Sequence, residues 1–345
     1  MSTELPDPRR YGAAAVAPGI DTSALHAALA AQADAGIAHA LSAASDATAY
    51  REAWEAVCNA VHGRAVEPDD VRTRLYAVPL IIVAGATRAG VISGALPDVG
   101  IVTALFEQHG ALGKSRNFGF SNALCSLETL ERMRPSQVYQ WTHGSAEPPR
   151  DLVPEPIAID EPGESVHLRF LLGAAIVPAS EPSFVETGSN IGAWGMPVTR
   201  ALAAELAQTG IEVLPLPRPP LDLLRAAHAG RIAQLETALD LFMSNALRRY
   251  RRAIRDPYAV VSSHDDGDVR VTLSSPFIED SVDGYRWPLH PLDDLAGVTR
   301  TVLALLAECR VTDVSVVPRV LAAQNAHGTA WFPRPREIEG TAQPH

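Results

Sequence analysis

The sequence is poor in several residue types that reactive sites depend on, and lysine is the scarcest of them. The 345 residues contain one lysine, Lys114, while the other basic residues are arginines. A Schiff base, a phosphate-loop lysine or a lysine general base therefore has one possible position. The accompanying abundance of alanine is typical of a GC-rich bacterial genome. We interpret the scarcity itself as compositional.

Cysteine and long apolar runs are also scarce, and both absences exclude classes of protein. The three cysteines, Cys58, Cys125 and Cys309, form no Cys-x-x-Cys pair, which argues against a zinc knuckle or a disulfide framework and favours a reducing cytoplasm. No stretch reaches the roughly 18 apolar residues of a membrane span. The first residues, MSTELPDPRR, lack the basic and apolar regions of a signal peptide. We expect a soluble cytoplasmic protein.

The charge balance makes anionic partners unfavourable. The formal net charge is −11 and the sequence pI is about 5.5. The mean electrostatic field therefore repels nucleic acid and anionic membranes, so we expect no membrane partner and consider nucleic acid unlikely as a partner. Hydrophobic residues make up 47% of the chain, which is ample for a core.

Proline, glycine and charge divide the chain into five predicted segments. Residues 1–20 are predicted to be a flexible arm, 21–143 a helical and α/β N-terminal half, 144–165 a linker rich in proline and acid, 166–325 an α/β C-terminal half, and 326–345 a tail. Apolar periodicity predicts helices at 22–41, 48–62, 97–109, 121–133, 196–208, 221–255 and 291–309. It predicts strands at 75–84, 166–177, 211–216, 258–263, 269–275 and 311–317.

These elements indicate an α/β fold, with α+β as the alternative, in which mixed sheets are flanked by helices. Three internal similarities, the faintest of them in IVTALFEQHG, suggest an internally duplicated strand–helix–strand unit, although chance similarity in an alanine- and leucine-rich chain explains them equally well. Val-Thr-Arg occurs at 198–200 and at 298–300, each time before a predicted helix and strand. Ser-Asn-Ala-Leu occurs at 121–124 and at 244–247.

The glycine-rich stretch LIIVAGATRAGVISG, residues 80–94, is the most tempting nucleotide-binding motif. Gly85 and Gly90 have the spacing of a phosphate loop, but Val91 and Ile92 stand where that motif requires lysine and serine or threonine. The dinucleotide pattern G-x-G-x-x-G is not met either. We interpret the glycines as a turn after a buried strand, and the sequence predicts no cofactor.

A second glycine-rich stretch, ETGSNIGAWGMP at 186–197, follows a predicted strand and precedes a predicted helix. Open α/β sheets place ligands at such strand ends. The candidate ligand-binding residues are Glu186, Gly188, Ser189, Asn190, Gly192 and Trp194. His290 is a further polar group that this site would need to recruit. The alternative interpretation is a surface loop in which Trp194 docks on the core.

Two charged segments have both structural and functional interpretations. In SHDDGD, residues 263–268, a histidine and three carboxylates resemble a metal site. However, Asp-Gly between two predicted strands favours a solvated hairpin tip. We therefore predict no bound metal. In LRRYRRAIRD, the partner-binding candidates are Arg248, Arg249, Arg252 and Arg255. The favoured interpretation is the solvent-facing end of a long helix, and contact with an anion or an acidic partner is the alternative.

No hydrolase elbow G-x-S-x-G and no His-Glu-x-x-His motif is present, so the sequence predicts no catalytic residues. We therefore expect a non-catalytic cytoplasmic scaffold, adaptor or assembly subunit that binds a protein partner or associates with itself. The alternative is an enzyme or sensor that binds a small molecule or anion at the 186–197 loop.

Overall fold

A computed structural model gives the fold. It describes residues 27–28, 31, 34–42, 48–50, 52–53, 71–85, 90–109, 111, 116–132, 152–159, 165–178, 191–206, 211–253, 257–275 and 278–339. Contacts divide the chain into two compact units between Gln234 and Leu235. We call the described residues up to 234 the N-terminal unit and residues 235–339 the C-terminal unit.

The N-terminal unit is built on a four-stranded sheet with the order β3-β5-β1-β6. Its two long strands, β1 (Val71–Ala84) and β5 (Ser165–Pro178), pair antiparallel over their whole length. The flanking strands are β3 (Arg116–Ser126) and β6 (Ile211–Val213). The strands predicted at 75–84 and 166–177 are therefore confirmed, each slightly longer than predicted.

Pro79 lies inside β1 without disturbing the sheet. Ala77 donates its N–H to Leu221 at 2.8 Å, and the Ile81 carbonyl accepts from Leu214 at 2.9 Å, so these residues direct their backbone groups away from β5. Pro79 lies midway between Ala77 and Ile81, so its backbone nitrogen and carbonyl also point away from β5. Its missing N–H therefore costs no hydrogen bond to β5, which is how a proline is tolerated in a long strand.

Period-two alternation along β1 gives this sheet two apolar faces. Tyr76, Val78 and Leu80 join a core with helices α2 (Gly100–Gln108) and α4 (Ile191–Glu205). Leu75, Ala77 and Ile81 join a second core with α1 (Asp34–Ser42) and the first turns of α5 (Leu223–Ala253). Because both faces are covered, the strand sequence is almost continuously apolar. Helical residues are also described at 48–50 and 52–53, inside the predicted helix 48–62.

The region around the predicted linker takes part in the N-terminal unit. Within 144–165, strand β4 (Ile157–Ile159) pairs antiparallel with β2 (Gly90–Ile92), and Ile157 is buried. The strands on either side of the predicted linker, β3 and β5, are neighbours in one sheet. The unit boundary therefore lies elsewhere, within α5.

The helix predicted at 121–133 is wrong over its first half. Residues 121–126 belong to β3 and pair with β5, and only α3 (Leu127–Arg132) is helical. Alanine and leucine favour a helix locally, but pairing with a buried strand about 45 residues away overrides that preference.

The C-terminal unit contains a second four-stranded sheet, with the order β10-β7-β8-β9. Strands β7 (Tyr258–His264), β8 (Asp268–Ser275) and β9 (Ile278–Pro288) form an antiparallel meander. Helix α6 (Leu295–Glu308) then leads to β10 (Asp313–Leu321), which pairs parallel with β7. The predicted hairpin and the predicted last strand are confirmed.

The two faces of the C-terminal sheet differ in polarity. One face carries Val261, Val271 and Trp287 and lies towards α6 and the second half of α5, where the Tyr285 hydroxyl donates to the Leu235 carbonyl at 2.9 Å. The other face carries buried polar side chains: Ser262, His264, Asp268, Arg270, Thr272 and Ser274. Alternation thus separates an apolar face from a polar one.

Part of the predicted tail packs on the polar face. Trp331 and Ile338, the latter in α7 (Pro335–Glu339), contact a small core formed by Val260, Val317 and Leu321. Residues 326–339 are therefore a structural part of the unit, because they cover a sheet face that water would otherwise reach.

The predicted fold class is confirmed: helices flank mixed and antiparallel sheets. The internal duplication stays a prediction. Thr199 and Thr299 occupy equivalent places in α4 and α6, and each donates to the carbonyl four residues earlier at 2.8 Å. However, the strands that follow these helices pair in opposite senses, since β6 is antiparallel to β1 and β10 is parallel to β7. Among the described residues, no helix is long and apolar enough to cross a membrane.

Candidate functional site

The glycine-rich stretch at 186–197 is only partly described. Glu186, Gly188, Ser189 and Asn190 lie outside the described residues. Gly192 is exposed in the first turn of α4. Trp194 is 1% exposed, and its ring centroid lies 4.8 Å from that of Phe106. Its ring therefore packs in the core and is not available to stack on a ligand, which corrects the role predicted for it.

His290, the residue proposed to complete that site, has a local structural role. Its backbone N–H donates to Asp293 at 2.7 Å, and its Nδ1 accepts from the Leu292 N–H at 3.2 Å. These bonds shape the turn before α6. The remainder of the predicted ligand site stays a prediction.

The arginine-rich end of α5 is described only in part. Arg248 is exposed, Arg249 and Arg252 lie in the helix with side chains outside the description, and Arg255 and the lone lysine, Lys114, lie outside the described residues. Partner binding by these arginines also stays a prediction.

An ion-pair cluster, which we call the hairpin cluster, joins the SHDDGD turn to β8 and β9: Asp266, Asp268, Arg270 and Arg286. Arg270 contacts Asp266 and lies 3.5 Å from Asp268, and Arg286 donates to Asp268 at 2.6 Å and to Asp266 at 3.2 Å. Arg270 is 1% exposed. Asp265 and Asp266 at the tip of the hairpin are exposed, in agreement with a solvated tip, and the buried members of the cluster are Asp268 and Arg270 in β8.

Arg270 also holds the segment that follows β10. Its Nη1 donates to the carbonyls of Ala323 at 2.6 Å and Trp331 at 2.8 Å, and its guanidinium carbon lies 5.6 Å from the ring centroid of Phe332. The carboxylates are thus neutralised by guanidinium groups rather than left for a cation. Within the described part of the chain, no group of three or more His, Cys, Asp or Glu side chains is placed to hold a metal ion.

A serine–histidine pair lies beside the hairpin cluster. The His264 Nε2 is 2.9 Å from the Ser262 hydroxyl, and its Nδ1 is 2.8 Å from the Ala322 carbonyl. The carbonyl requires the proton on Nδ1, so Nε2 accepts from the serine. Burial and the nearby Arg270 lower the pKa of His264. Although this geometry resembles a nucleophile and its base, His264 is 0% exposed and Ser262 is 2% exposed, so a substrate cannot reach them.

A similar pair lies in the N-terminal unit and was not singled out from the sequence. The Ser165 hydroxyl is 2.8 Å from His167 Nε2, and both residues are half-buried. Burial and Arg169 lower the pKa of His167. Serine and histidine two residues apart on one strand share a face, so the sequence pattern Ser-x-His at the start of the strand was the available signal.

The buried Cys125 thiol of the N-terminal unit is expected to be unreactive. Burial first, and the Glu155 carboxylate second, raise the pKa of Cys125 to about 12. The Glu155 carboxylate accepts from the Ser126 N–H at 3.2 Å. Because the thiolate is the reactive form, Cys125 is unsuited to be a nucleophile, as its apolar sequence context predicts.

The cavity between β7, α6 and β10 is too small for a metabolite. It is lined by residues that include Ser263, Thr299 and Val316, and its volume is about 20 Å³. That is room for about one water molecule, whereas ligand pockets usually enclose about 300 Å³ or more.

Strand β10 is an accessible feature of the C-terminal unit. It lies at the end of the order β10-β7-β8-β9, so one side pairs with β7 and the other faces no strand among the described residues. Most of its residues are exposed: Asp313, Ser315, Val316, Pro318, Arg319 and Val320. Val316 and Val320 are both 39% exposed. The sequence predicted this strand but not its edge position, for which the internal proline was the available signal.

Comparisons of the chain with protein-family models, with curated proteins and with solved structures found no match. Inferences about function therefore depend on the residues of this chain.

Proposed function

We propose that the protein is a non-catalytic interaction protein that binds another polypeptide along β10. The observation that carries this proposal is the edge position of β10, where Val316 and Val320 are exposed and no strand among the described residues pairs with the outer side. Edge strands of this kind accept a further strand by β-augmentation. The scarcity of cysteine and the acidic composition support a cytoplasmic setting.

The hydrogen bonds of β10 indicate which of its backbone groups are open. Asp265 donates its N–H to the Leu321 carbonyl at 3.0 Å, and Ser263 donates its hydroxyl to the Arg319 carbonyl at 3.4 Å. The carbonyls of Leu321 and Arg319 therefore point towards β7 and the turn that follows it. The register of β10 with β7 shifts between Val316 and Val320, so the strand is irregular there. Among the residues that pair with β7, Val314, Val316 and Val320 direct their backbone groups outward.

The state of the reactive side chains favours binding over catalysis. The Ser262–His264 pair is buried, the hairpin carboxylates are neutralised by arginines, and the Cys125 thiol has a raised pKa. The alternative, ligand binding at 186–197, loses the stacking role of Trp194 because that ring is in the core.

Photo-crosslinking in the native host tests the proposal. Val316 is replaced by p-benzoylphenylalanine, and a matched variant carries the same group at Ala304, which is exposed on α6 in the same unit. We expect a discrete adduct from position 316, with the chain itself or with one other polypeptide, and none from position 304.

Hydrogen exchange then locates the contact. Adding the purified adduct partner is expected to slow exchange of the amides of Val314, Val316 and Val320 in the full chain, because strand pairing occupies outward-facing N–H groups. No adduct above the control, or unchanged exchange along β10, contradicts the proposed function.

A further inference from the structure

We infer that β5 carries a binding site for a small oxyanion, a phosphate or carboxylate group, formed by Ser165, His167 and Arg169. This inference goes beyond the proposed function, because it concerns the N-terminal unit and does not involve β10. The three residues alternate along one strand, so they share a face of the sheet. Guanidinium and imidazole groups bind oxyanions through charge-assisted hydrogen bonds.

The proposed site lies at the end of a sheet face that is otherwise apolar. His167 and Arg169 pair with Ile82 and Leu80 of β1, and both of these β1 residues belong to the core formed with α2 and α4. Ser165, His167 and Arg169 are each half-buried. A polar row at the border of an apolar core is partly screened from water, which strengthens an ionic hydrogen bond formed there.

Arg169 has hydrogen-bond donors that the described residues do not use. Its Nη1 donates to the Leu168 carbonyl at 2.9 Å. Its Nε is buried and has no hydrogen-bond partner, and its Nη2 has none among the described residues. The edge formed by Nε and Nη2 is one that binds a carboxylate or phosphate with two parallel hydrogen bonds. An oxyanion at Arg169 therefore supplies acceptors that the chain itself does not.

Glu155 acts on Arg169 from a distance and is engaged elsewhere. Its negative charge favours the guanidinium electrostatically, yet within the described part of the chain no carboxylate forms an ion pair with Arg169. The Glu155 carboxylate accepts from the Ser126 N–H at 3.2 Å and from the hydroxyls of Ser126 and Thr129. These bonds hold it at the start of α3. Direct ionic contact with Arg169 is therefore left for a ligand.

His167 supplies a second donor beside Arg169. Its Nε2 lies 2.8 Å from the Ser165 hydroxyl. When this hydroxyl donates to Nε2, the ring proton is on Nδ1, which has no hydrogen-bond partner among the described residues. Neighbours on one face of a strand are about 7 Å apart, a gap that one oxyanion with a hydrogen bond of about 2.8 Å on each side can bridge. The oxyanion therefore binds between His167 and Arg169, while Ser165 orients the imidazole.

An NMR titration of the histidine rings in the full chain tests the site. Inorganic phosphate, sulfate and acetate are added separately, and sodium chloride at equal ionic strength is the blank. We expect the His167 ring signals, assigned with His167→Gln, to shift saturably with a dissociation constant of about 1 mM or lower for at least one oxyanion. Tighter binding of phosphate than of acetate assigns a phosphate ligand, and the reverse order assigns a carboxylate.

The same spectra report the charge of the site. Burial and Arg169 lower the pKa of His167 in the free protein. A bound anion favours the imidazolium, so saturation with the oxyanion is expected to raise this pKa, whereas chloride leaves it lowered.

Paired substitutions separate a specific site from a general effect of net charge. Arg169→Gln is expected to raise the dissociation constant about tenfold or more, because a charged donor is lost. Glu155→Gln is expected to lower it about twofold or more, because a nearby negative charge is removed. Arg200→Gln on α4 and Glu107→Gln on α2 are the matched controls. Both lie at exposed positions of the same unit and should leave the constant unchanged.

Each outcome decides for or against the site. Weaker binding with Arg169→Gln and tighter binding with Glu155→Gln, with neither control changed, support it. The absence of a saturable His167 shift up to about 50 mM of every oxyanion overturns it. Equal effects of Arg169→Gln and Arg200→Gln assign the binding to net charge and also overturn it. Circular dichroism checks that each variant is folded, and Glu155→Gln decides the question if Arg169→Gln does not fold.

Discussion

Phe332 packs directly on Gly284: a Cβ atom at this position of β9 would overlap Cδ1 of the ring. The same ring lies 5.6 Å from the guanidinium carbon of Arg270. The segment after β10 is therefore fixed to the polar face of the C-terminal sheet by an aromatic ring that accepts no side chain beneath it.

Gly284→Ala is expected to destabilise the C-terminal unit, because the added methyl group and the ring cannot occupy the same space. Overpacking of this kind costs about 1–3 kcal/mol. Urea unfolding followed by fluorescence measures the change. In a Phe332→Leu background the same substitution should cost clearly less, since the aromatic ring is gone. Equal costs in both backgrounds would show that the contact does not constrain Gly284.

Arg270→Ala is expected to cost about 3–5 kcal/mol of unfolding free energy, because it breaks a buried ion pair with Asp268 and removes the guanidinium that donates to the carbonyls of Ala323 and Trp331. Arg286→Ala is the matched control. Its side chain is 52% exposed although it contacts the same aspartates, so its loss should cost about 1 kcal/mol or less. If the two variants were equally stable, the buried position of Arg270 would have no energetic importance.

The pKa of His264 predicts a pH dependence of stability. Its pKa in the folded protein is lowered from 6.5 by burial and by Arg270. Between the two pKa values the unfolded chain binds more protons, so this residue's contribution is fully present above about pH 6.5 and is lost as the pH falls towards the folded pKa. Unfolding free energies at pH 8 and pH 5 should therefore differ less for His264→Gln than for the natural sequence. His327→Gln, on an exposed turn, controls for the loss of one histidine; an equal change with that variant would assign the effect elsewhere.

The raised pKa of Cys125 predicts a thiol that is unreactive in the folded protein. A pKa of about 12 in place of 9.0 reduces the thiolate population at a given pH roughly a thousandfold. Iodoacetamide labelling followed by mass spectrometry should modify the half-buried Cys309 first and Cys125 only after unfolding in guanidinium. Comparable labelling rates in the native state would contradict the burial of Cys125.

Local patterns in the sequence were sufficient for the C-terminal hairpin. Alternating apolar residues and an Asp-Gly turn predicted both strands, and the register of β7 with β8 confirms them. The signal was reliable because the two strands are neighbours along the chain. Pairing between neighbours requires no information from distant segments.

Local patterns failed where distant pairing decides the structure. Ser-Asn-Ala-Leu forms part of strand β3 at 121–124 and part of helix α5 at 244–247. The four residues are identical, so their intrinsic preference cannot determine the difference. Residues 121–126 become a strand because β5 lies beside them, and that neighbour is about 45 residues away in sequence.

The candidate surface was harder to predict than the fold for a similar reason. Asp266 and Asp268 were visible in the sequence, but their ion pairs depend on Arg270 from β8 and Arg286 from β9. Likewise, the strand pattern around Val316 does not reveal whether β10 is central or at an edge. Both properties follow from the order of strands in the sheet, which alternation alone does not encode.

The bonds from Arg270 to Ala323 and Trp331 have a practical consequence for anyone shortening the chain. A version cut just after β10 would retain the complete four-stranded sheet, yet it would remove both carbonyl acceptors and the aromatic cover from this cation. Fragments intended for crystallisation or for partner screens should therefore keep the residues through Glu339, and affinity tags belong beyond that helix.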